Sequence, residues 1–388
     1  MSAGLATIRP VNSPPLRLID TAAAFGTLVQ RLRGEPTVAV DTEAASFHRY
    51  RDRVYLVQLS TRTETHLIDP LAVPGLPGFG ELLGDPTIEK LFHDADYDLR
   101  LLAYEFGFNA SNLFDTRVAA QFLNEPGIGL AALLEKYIGV RPDKRFQRAD
   151  WSARPLTQPM LEYAAMDTRH LPDLRDLLRD KLIARGRLEW VLEECALLTA
   201  VRWPEAVPAE EAALTVKGVR ALTPRAQALF RALYVWRART ADVLDRAAFR
   251  VMGNDVLLAL AQQPPADQVG LAGVKGVGRE LAERRGSEIL AAIQLGLQVP
   301  DAELPHVPRS PRHRPDPIFD VRLERLKALR AGLAVREDLA PGVLCPNWLL
   351  EAIARVAPTN REELGKVEGI RRWQVGAIGD ELLGAIWI

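Results

Sequence analysis

Hydrophobic and polar positions divide the chain into two stretches of different character. Residues 37–43 (Thr-Val-Ala-Val-Asp-Thr-Glu), 54–60 (Val-Tyr-Leu-Val-Gln-Leu-Ser) and 65–69 (Thr-His-Leu-Ile-Asp) are short runs rich in β-branched and apolar side chains. They predict three strands. Lys90-Leu91-Phe92-His93 predicts a short fourth. Leu99, Leu102, Ala103 and Phe106 then recur at helical spacing, and Gly107 ends that helix. Leu113-Phe114-Asp115-Thr116 reads as the opening of another helical stretch. Strands first and helices interleaved afterwards predict a mixed α/β domain over residues 1–185.

The rest of the chain shows no convincing strand. It is helical, punctuated by proline, and it repeats itself at a spacing of 93 residues without a gap. Pro224 falls on Pro317, Leu233 on Leu326, Asp245 on Asp338, Asn254 on Asn347, Leu271 on Leu364, Gly276 on Gly369 and Gly286 on Gly379. Apolar coincidences between helices are common, but proline, asparagine and glycines in one frame are not. The expectation is two copies of one small all-α domain, at 217–297 and 317–388, after a helical connector at 186–216. Between the copies, 298–316 holds Pro300, Pro305, Pro308, Pro311 and Pro315 and reads as an extended spacer.

Composition adds little. The 388 residues are 48% apolar and 26% charged, with net charge −1, so attraction to nucleic acid has to come from local patches. Cys195 and Cys345 are too few and too far apart for a disulfide framework or a zinc site. The N-terminus lacks a basic region followed by an apolar run, and no stretch has the length of a membrane span, which predicts a soluble cytoplasmic protein.

Acidic residues carry the chemistry. Asp41 and Glu43 are two apart on a predicted strand and leave one face. Asp98 falls in the first turn of its helix, with Asp96 or Asp94 as cap. Asp94 and Asp96 could replace Asp98 as ligands, but only Asp98 starts the apolar-periodic helix. Tyr163 and Asp167 are four apart on a predicted helix and share a face. Hard cations such as Mg²⁺ and Mn²⁺ prefer oxygen ligands, and two of them can stabilise the attacking and leaving oxygens of a phosphodiester displacement. Each short motif alone is weak, because Asp and Glu are common; the case rests on all three in order. Asp115 reads as a helix cap in preference to a group supporting the acidic ligands, and His93 as structural. Lys144, Arg145, Arg148 and Arg154 beside Phe146 and Trp151 suit phosphates and base stacking, or a solvated loop. Gly273-Val274-Lys275-Gly276-Val277-Gly278 lacks the strand and the Lys-Ser/Thr of a phosphate loop, and reads as a connector between helices.

These segments resemble a known family. Residues 37–175 are similar to the exonuclease domain of ribonuclease D, the Asp-Glu-Asp-Asp (DEDD) exonucleases with tyrosine in the third motif. The resemblance is carried by Val38-Ala39-Val40-Asp41-Thr42-Glu43, by Leu91-Phe92-His93 through Asp98-Leu99, and by Phe114-Asp115-Thr116. The run from Gln147-Arg148-Ala149-Asp150-Trp151-Ser152-Ala153-Arg154-Pro155-Leu156 to Tyr163-Ala164-Ala165-Met166-Asp167 is its most specific part. The two C-terminal copies resemble HRDC domains, helical modules of RecQ-type helicases and ribonuclease D. The resemblance implies an RNase H-like α/β domain followed by two all-α HRDC domains. It implies two divalent ions, Mg²⁺ or Mn²⁺, held by Asp41, Glu43, Asp98 and Asp167, with Tyr163 positioning water. It further implies release of nucleoside 5′-monophosphates from the 3′ ends of tRNA precursors or other small structured RNAs. Gln147, Arg148, Trp151 and Arg154 are expected to meet nucleic acid, as are Arg237 and Arg239 of the more basic first copy; the second copy binds weakly or packs on the nuclease. The alternatives are the same chemistry on DNA, in repair, and an inactive nucleic-acid-binding scaffold. No obligate protein partner and no membrane is expected.

Overall fold

The computed structural model describes residues 16–143, 145–306 and 316–387. Lys144 and, in the proline spacer, Pro308, Pro311 and Pro315 lie outside them. The described residues form two compact units. One comprises 16–44, 54–203 and 316–387, the other 45–53 and 204–306.

The first unit is built on a six-stranded mixed sheet of order β1-β4-β3-β2-β5-β6. Its strands are β1 (Leu16–Ile19), β2 (Thr37–Ala44), β3 (Val54–Ser60), β4 (Thr65–Ile68), β5 (Glu89–Phe92) and β6 (Leu113–Asp115). Strands β2, β3 and β4 run antiparallel, while β1, β5 and β6 join in parallel. The four expected strands are present. Leu113–Asp115 is a strand and not the start of a helix, because Lys90 to Phe92 of β5 pair with it. Edge strand β1 was not anticipated; none of its residues is buried, so no buried face marks it in the sequence.

Helices α1 (Ala22–Leu32), α2 (Phe79–Gly84), α3 (Asp96–Phe106), α4 (Thr116–Phe122), α5 (Leu130–Tyr137), α6 (Gln158–Arg169), α7 (Leu171–Ala184) and α8 (Leu188–Leu198) surround this sheet. Helix α6 packs on β2, β3 and β4. It is tied down where the Ser60 hydroxyl meets Thr168 Oγ1 at 2.7 Å.

In the second unit, α9 (Ala209–Thr215) precedes a five-helix repeat: α10 (Pro224–Val243), α11 (Ala248–Val251), α12 (Asn254–Gln262), α13 (Gln268–Ala272) and α14 (Gly278–Leu297). The first unit carries the other copy: α15 (Pro317–Arg336), α16 (Pro341–Leu344), α17 (Asn347–Val356), α18 (Arg361–Gly365) and α19 (Arg372–Trp387). The 93-residue period holds down to single atoms. Arg237 Nη1 donates to Met252 O at 2.9 Å and Asn254 Oδ1 at 2.7 Å; Arg330 Nη1 donates to Cys345 O and Asn347 Oδ1, both at 2.8 Å. Asp267 caps Gly270 N as Asn360 caps Glu363 N. Asp245 and Asp338 both have positive φ, 41° and 47°. Among the described residues no helix is long and apolar enough to cross a membrane.

Candidate active site

Asp41 and Glu43 project from the same face of β2, and register with β3 sets Asp41 opposite Gln58 and Glu43 opposite Leu56. Asp167 and Tyr163 lie one turn apart on α6, which crosses β2 and β3. One carboxylate oxygen from each of Asp41, Glu43 and Asp167 comes within 4.8 Å of the others. This all-oxygen set suits a hard divalent cation. A cavity of about 470 Å³ opens onto it, lined by these three carboxylates, Tyr163, His93, Gln147, Asp143 and the start of α5.

Asp98 is buried beside the group. Pairing of β2 with β5 stops at Ala39 and Leu91, so the edge of β2 is open at Thr42. There the Thr42 amide donates to Asp98 Oδ1 at 3.1 Å, and the Thr42 hydroxyl donates to the same oxygen. Neither Asp94 nor Asp96 caps α3. Asp94 pairs with Arg117 and Asp96 with Arg100, and the amides of Asp94 and Ala95 donate to the buried Asp115 carboxylate. Asp115 also accepts from the amides of Arg117 and Val118, as the cap of α4. One carboxylate thus fixes the start of two helices, including the one that presents Asp98.

Crowding these acids in a buried place resists their ionisation. Burial raises Asp98 to about 7 against the pull of its Thr42 hydrogen bonds. Burial and the charge of Asp98 raise Asp167 to about 7. Asp41 and Glu43 are raised well above the carboxylate range, by burial first and then by neighbouring carboxylates. The same causes push up the Tyr163 phenol, which stays protonated. His93 falls to about 4 through burial and the charge of Arg117, and its Nδ1 lies 2.9 Å from Thr116 Oγ1. Both causes favour the neutral ring.

Residues expected to meet nucleic acid divide. Gln147 lines the cavity and Arg148 is exposed. Trp151 is not available for stacking on a base. It is buried, 1% exposed, with its ring 6.1 Å from that of Tyr163, which Phe146 meets edge-on at 5.9 Å. The two rings hold the tyrosine in place. Arg154 is occupied as well. Its Nε and Nη2 take both oxygens of Asp69 at 2.7 and 2.8 Å, and it also donates to the carbonyls of Trp151 and Tyr55. In the second unit Arg237 is 5% exposed and lies over the Tyr234 ring at 4.6 Å, so its expected phosphate contact is replaced by a core role. Arg239 is exposed along a groove between α10 and α14. Sequence reasoning missed Thr42, Asp143 and the start of α5 as neighbours of the acids. A hydroxyl between two acidic residues was the one available signal.

Comparison with known proteins agrees with this geometry. A family model described as 3′–5′ exonuclease matches residues 16–183, and the HRDC model matches 226–293 and 320–386. A ribonuclease D of Gluconacetobacter diazotrophicus is 34% identical over 371 residues, covering 94% of this chain and 91% of the relative. The chain belongs to the ribonuclease D family. Another ribonuclease D, from Granulibacter bethesdensis, is also 34% identical, over 95% of this chain and 92% of its own. The crystal structure of Escherichia coli RNase D, described as an exoribonuclease involved in structured RNA processing, has a TM-score of 0.70 at 26% identity. It covers 96% of this chain and 98% of that one. The catalytic core of RRP6 from Trypanosoma brucei has a TM-score of 0.67 at 28% identity, over 75% of this chain and 82% of its own. Membership of the ribonuclease D family makes the protein a 3′–5′ exoribonuclease with an RNase H-like exonuclease domain and two HRDC domains.

Proposed function

We propose that this ribonuclease D family member trims the 3′ ends of tRNA precursors or other small structured RNAs, releasing nucleoside 5′-monophosphates with two bound Mg²⁺ or Mn²⁺ ions. The observation that carries the reading is the convergence of Asp41, Glu43 and Asp167 beside Tyr163 at an open cavity. Asp41, Glu43 and Asp167 hold the cations, and Asp98, braced by Thr42, completes the set. When bound, such ions supply charge for the attacking and leaving oxygens of an in-line displacement. The protonated Tyr163 hydroxyl, fixed by Trp151 and Phe146, orients the water that attacks the terminal phosphodiester. Gln147, which lines the same cavity, meets the terminal nucleotide. All five side chains are present, which argues against an inactive scaffold, and no observation favours DNA.

Asp41→Asn or Asp167→Asn should abolish turnover of a 3′-extended tRNA while the protein still folds. Chelation should do the same reversibly. A 3′-blocked or circular RNA should resist. Internal fragments from a circular substrate, or turnover unchanged in both variants, would overturn the reading.

A further inference from the structure

The second unit includes a segment that interrupts the nuclease sequence. Ala45–Arg53, which joins β2 to β3, clusters with the first helical repeat. Arg51 Nη2 pairs with Asp242 at 2.8 Å, the Tyr50 amide donates to Asp245 at 3.3 Å, Arg49 pairs with Asp245 at 3.6 Å, and the Ala247 amide donates to His48 O at 3.1 Å. This lacing brings two exposed rings together. Phe47 (43% exposed) and Phe249 (55% exposed) meet edge to face, with centroids 6.3 Å apart at 79°. Soluble surfaces do not often leave two phenyl rings in water side by side.

The residues bordering Phe249 in sequence select the ligand. Arg246 and Arg250, one on each side of Phe249 in sequence, are exposed and make no ion pair among the described residues. Exposed rings flanked by uncommitted guanidinium groups combine a stacking face with phosphate-binding charge, which is the chemistry of single-stranded nucleic-acid grooves. An apolar protein partner would leave these arginines unpaired. The second repeat is an internal control. At the 93-residue spacing Arg246, Phe249 and Arg250 become Leu339, Gly342 and Val343, with neither ring nor charge. The feature therefore does not belong to the repeat as such. It occurs where the repeat holds Ala45–Arg53. Phe47 follows Glu43 by four residues in the chain.

We propose that Phe47 and Phe249, with Arg246 and Arg250, form a base-stacking platform for the single-stranded RNA segment upstream of the 3′ terminus. This rests on the exoribonuclease reading and adds a site to it. Arg49, Arg51, Asp242 and Asp245 position the platform.

The test separates binding from hydrolysis. In the full-length protein with chelator present, affinity for a single-stranded pyrimidine oligoribonucleotide is compared among wild type, Phe249→Ala, Phe249→Trp and Arg246→Ala/Arg250→Ala. Phe249→Ala should weaken binding about tenfold, as loss of one stacked base implies. Phe249→Trp should restore it, and the double arginine variant should both weaken binding and flatten its salt dependence. With metal, hydrolysis of a dinucleotide should be unchanged in all three, since neither ring nor guanidinium belongs to the catalytic set. Equal affinities for wild type and Phe249→Ala would overturn the platform. Weakening that tryptophan fails to rescue would also overturn it, because a merely structural ring explains that result. Failure of the wild type to hydrolyse any RNA would instead overturn the exoribonuclease reading.

Discussion

The two helical repeats share one backbone plan and have opposite employments. Each places an aspartate of positive φ after its long first helix, and each uses that corner to grip chain from the nuclease sequence. In the first repeat Asp245 takes the Tyr50 amide and Arg49. In the second, Asp338 takes Asn124 Nδ2 at 2.8 Å and Arg185 at 3.0 Å. The partners differ in kind. A short loop leaves the first repeat with its own hydrophobic core. The second is joined to the nuclease in one continuous core, through Trp373 stacked on Trp190 at 4.7 Å and edge-on to Phe122 at 5.3 Å. Glu193 and Glu194 of α8 add bonds to the Trp373 amide, the Trp373 indole and Arg371. One copy has become structure, and the other keeps an exposed cationic surface. Duplication permits this, because a second copy can lose its surface without losing the first.

The strongest way to break this comparison is Trp373→Ala. Removing a buried tryptophan typically costs about 3–5 kcal/mol. Because the second repeat and the nuclease share a core, the variant should lower the melting temperature of nuclease activity itself. The equivalent position in the first repeat is Glu280, exposed on α14, and Glu280→Ala should leave the melt in place. Activity and melting unchanged in Trp373→Ala would dissolve the shared core.

Arg237→Ala and Arg330→Ala form a matched pair. Each frees a buried carbonyl and an asparagine, at about 1–3 kcal/mol. The first should weaken only the repeat in which it lies, whereas the second should also lower the temperature at which hydrolysis is lost. Thermal inactivation alongside calorimetry distinguishes them; identical inactivation curves would contradict the division into two units.

Acidity sharpens the same division. Asp98 and Asp167 hold protons up to about pH 7 in the folded state, whereas unfolded carboxylates release them near pH 4. The folded form binds more protons across that window. Its stability contribution is present below about pH 4 and is lost as pH rises through about 7. Metal-free protein should therefore melt at a lower temperature at pH 8 than at pH 5.5, in the transition that contains the nuclease and the second repeat. Added Mn²⁺ should restore more stability at the higher pH. A metal-induced shift of equal size at both values would remove the carboxylates from the site.

The contrast between the repeats also explains what the sequence could show. Its 93-residue period survives because helix starts, caps and positive-φ turns restrict residue type locally, as at Pro224 and Pro317 or Gly276 and Gly369. The spacings of Asp41 with Glu43 and of Tyr163 with Asp167 fix a shared face for the same local reason. Burial of long polar side chains is not local. Arg237 and Arg239 look alike in sequence, yet one fills a core and the other faces water, because the deciding carbonyl belongs to Met252. Trp151 reads in sequence as a stacking platform, yet its ring is buried beside that of Tyr163. Nothing near Phe47 announces Phe249, about two hundred residues on, and three-residue β6 is a strand only because β5 lies beside it.

Salt dependence gives the smallest effect and the most direct reading of what the first repeat does. A protein that neutralises phosphates of a single strand releases counterions, so the logarithm of its affinity falls against the logarithm of salt with a slope of about −0.7 per phosphate. Arg239 is exposed and makes no ion pair among the described residues, so it is free to contribute. Its equivalent in the second repeat is Gly332. Arg239→Glu should therefore weaken binding of a 3′-extended tRNA and make the slope shallower by about one phosphate's worth. Arg325→Glu, an exposed change on the second repeat, should leave the slope as it is. The measurement is affinity across a salt series, in chelator so that substrate survives. A slope moved equally by both variants would mean that both repeats face RNA, and would end the claim that one of them has been given over to holding the nuclease together.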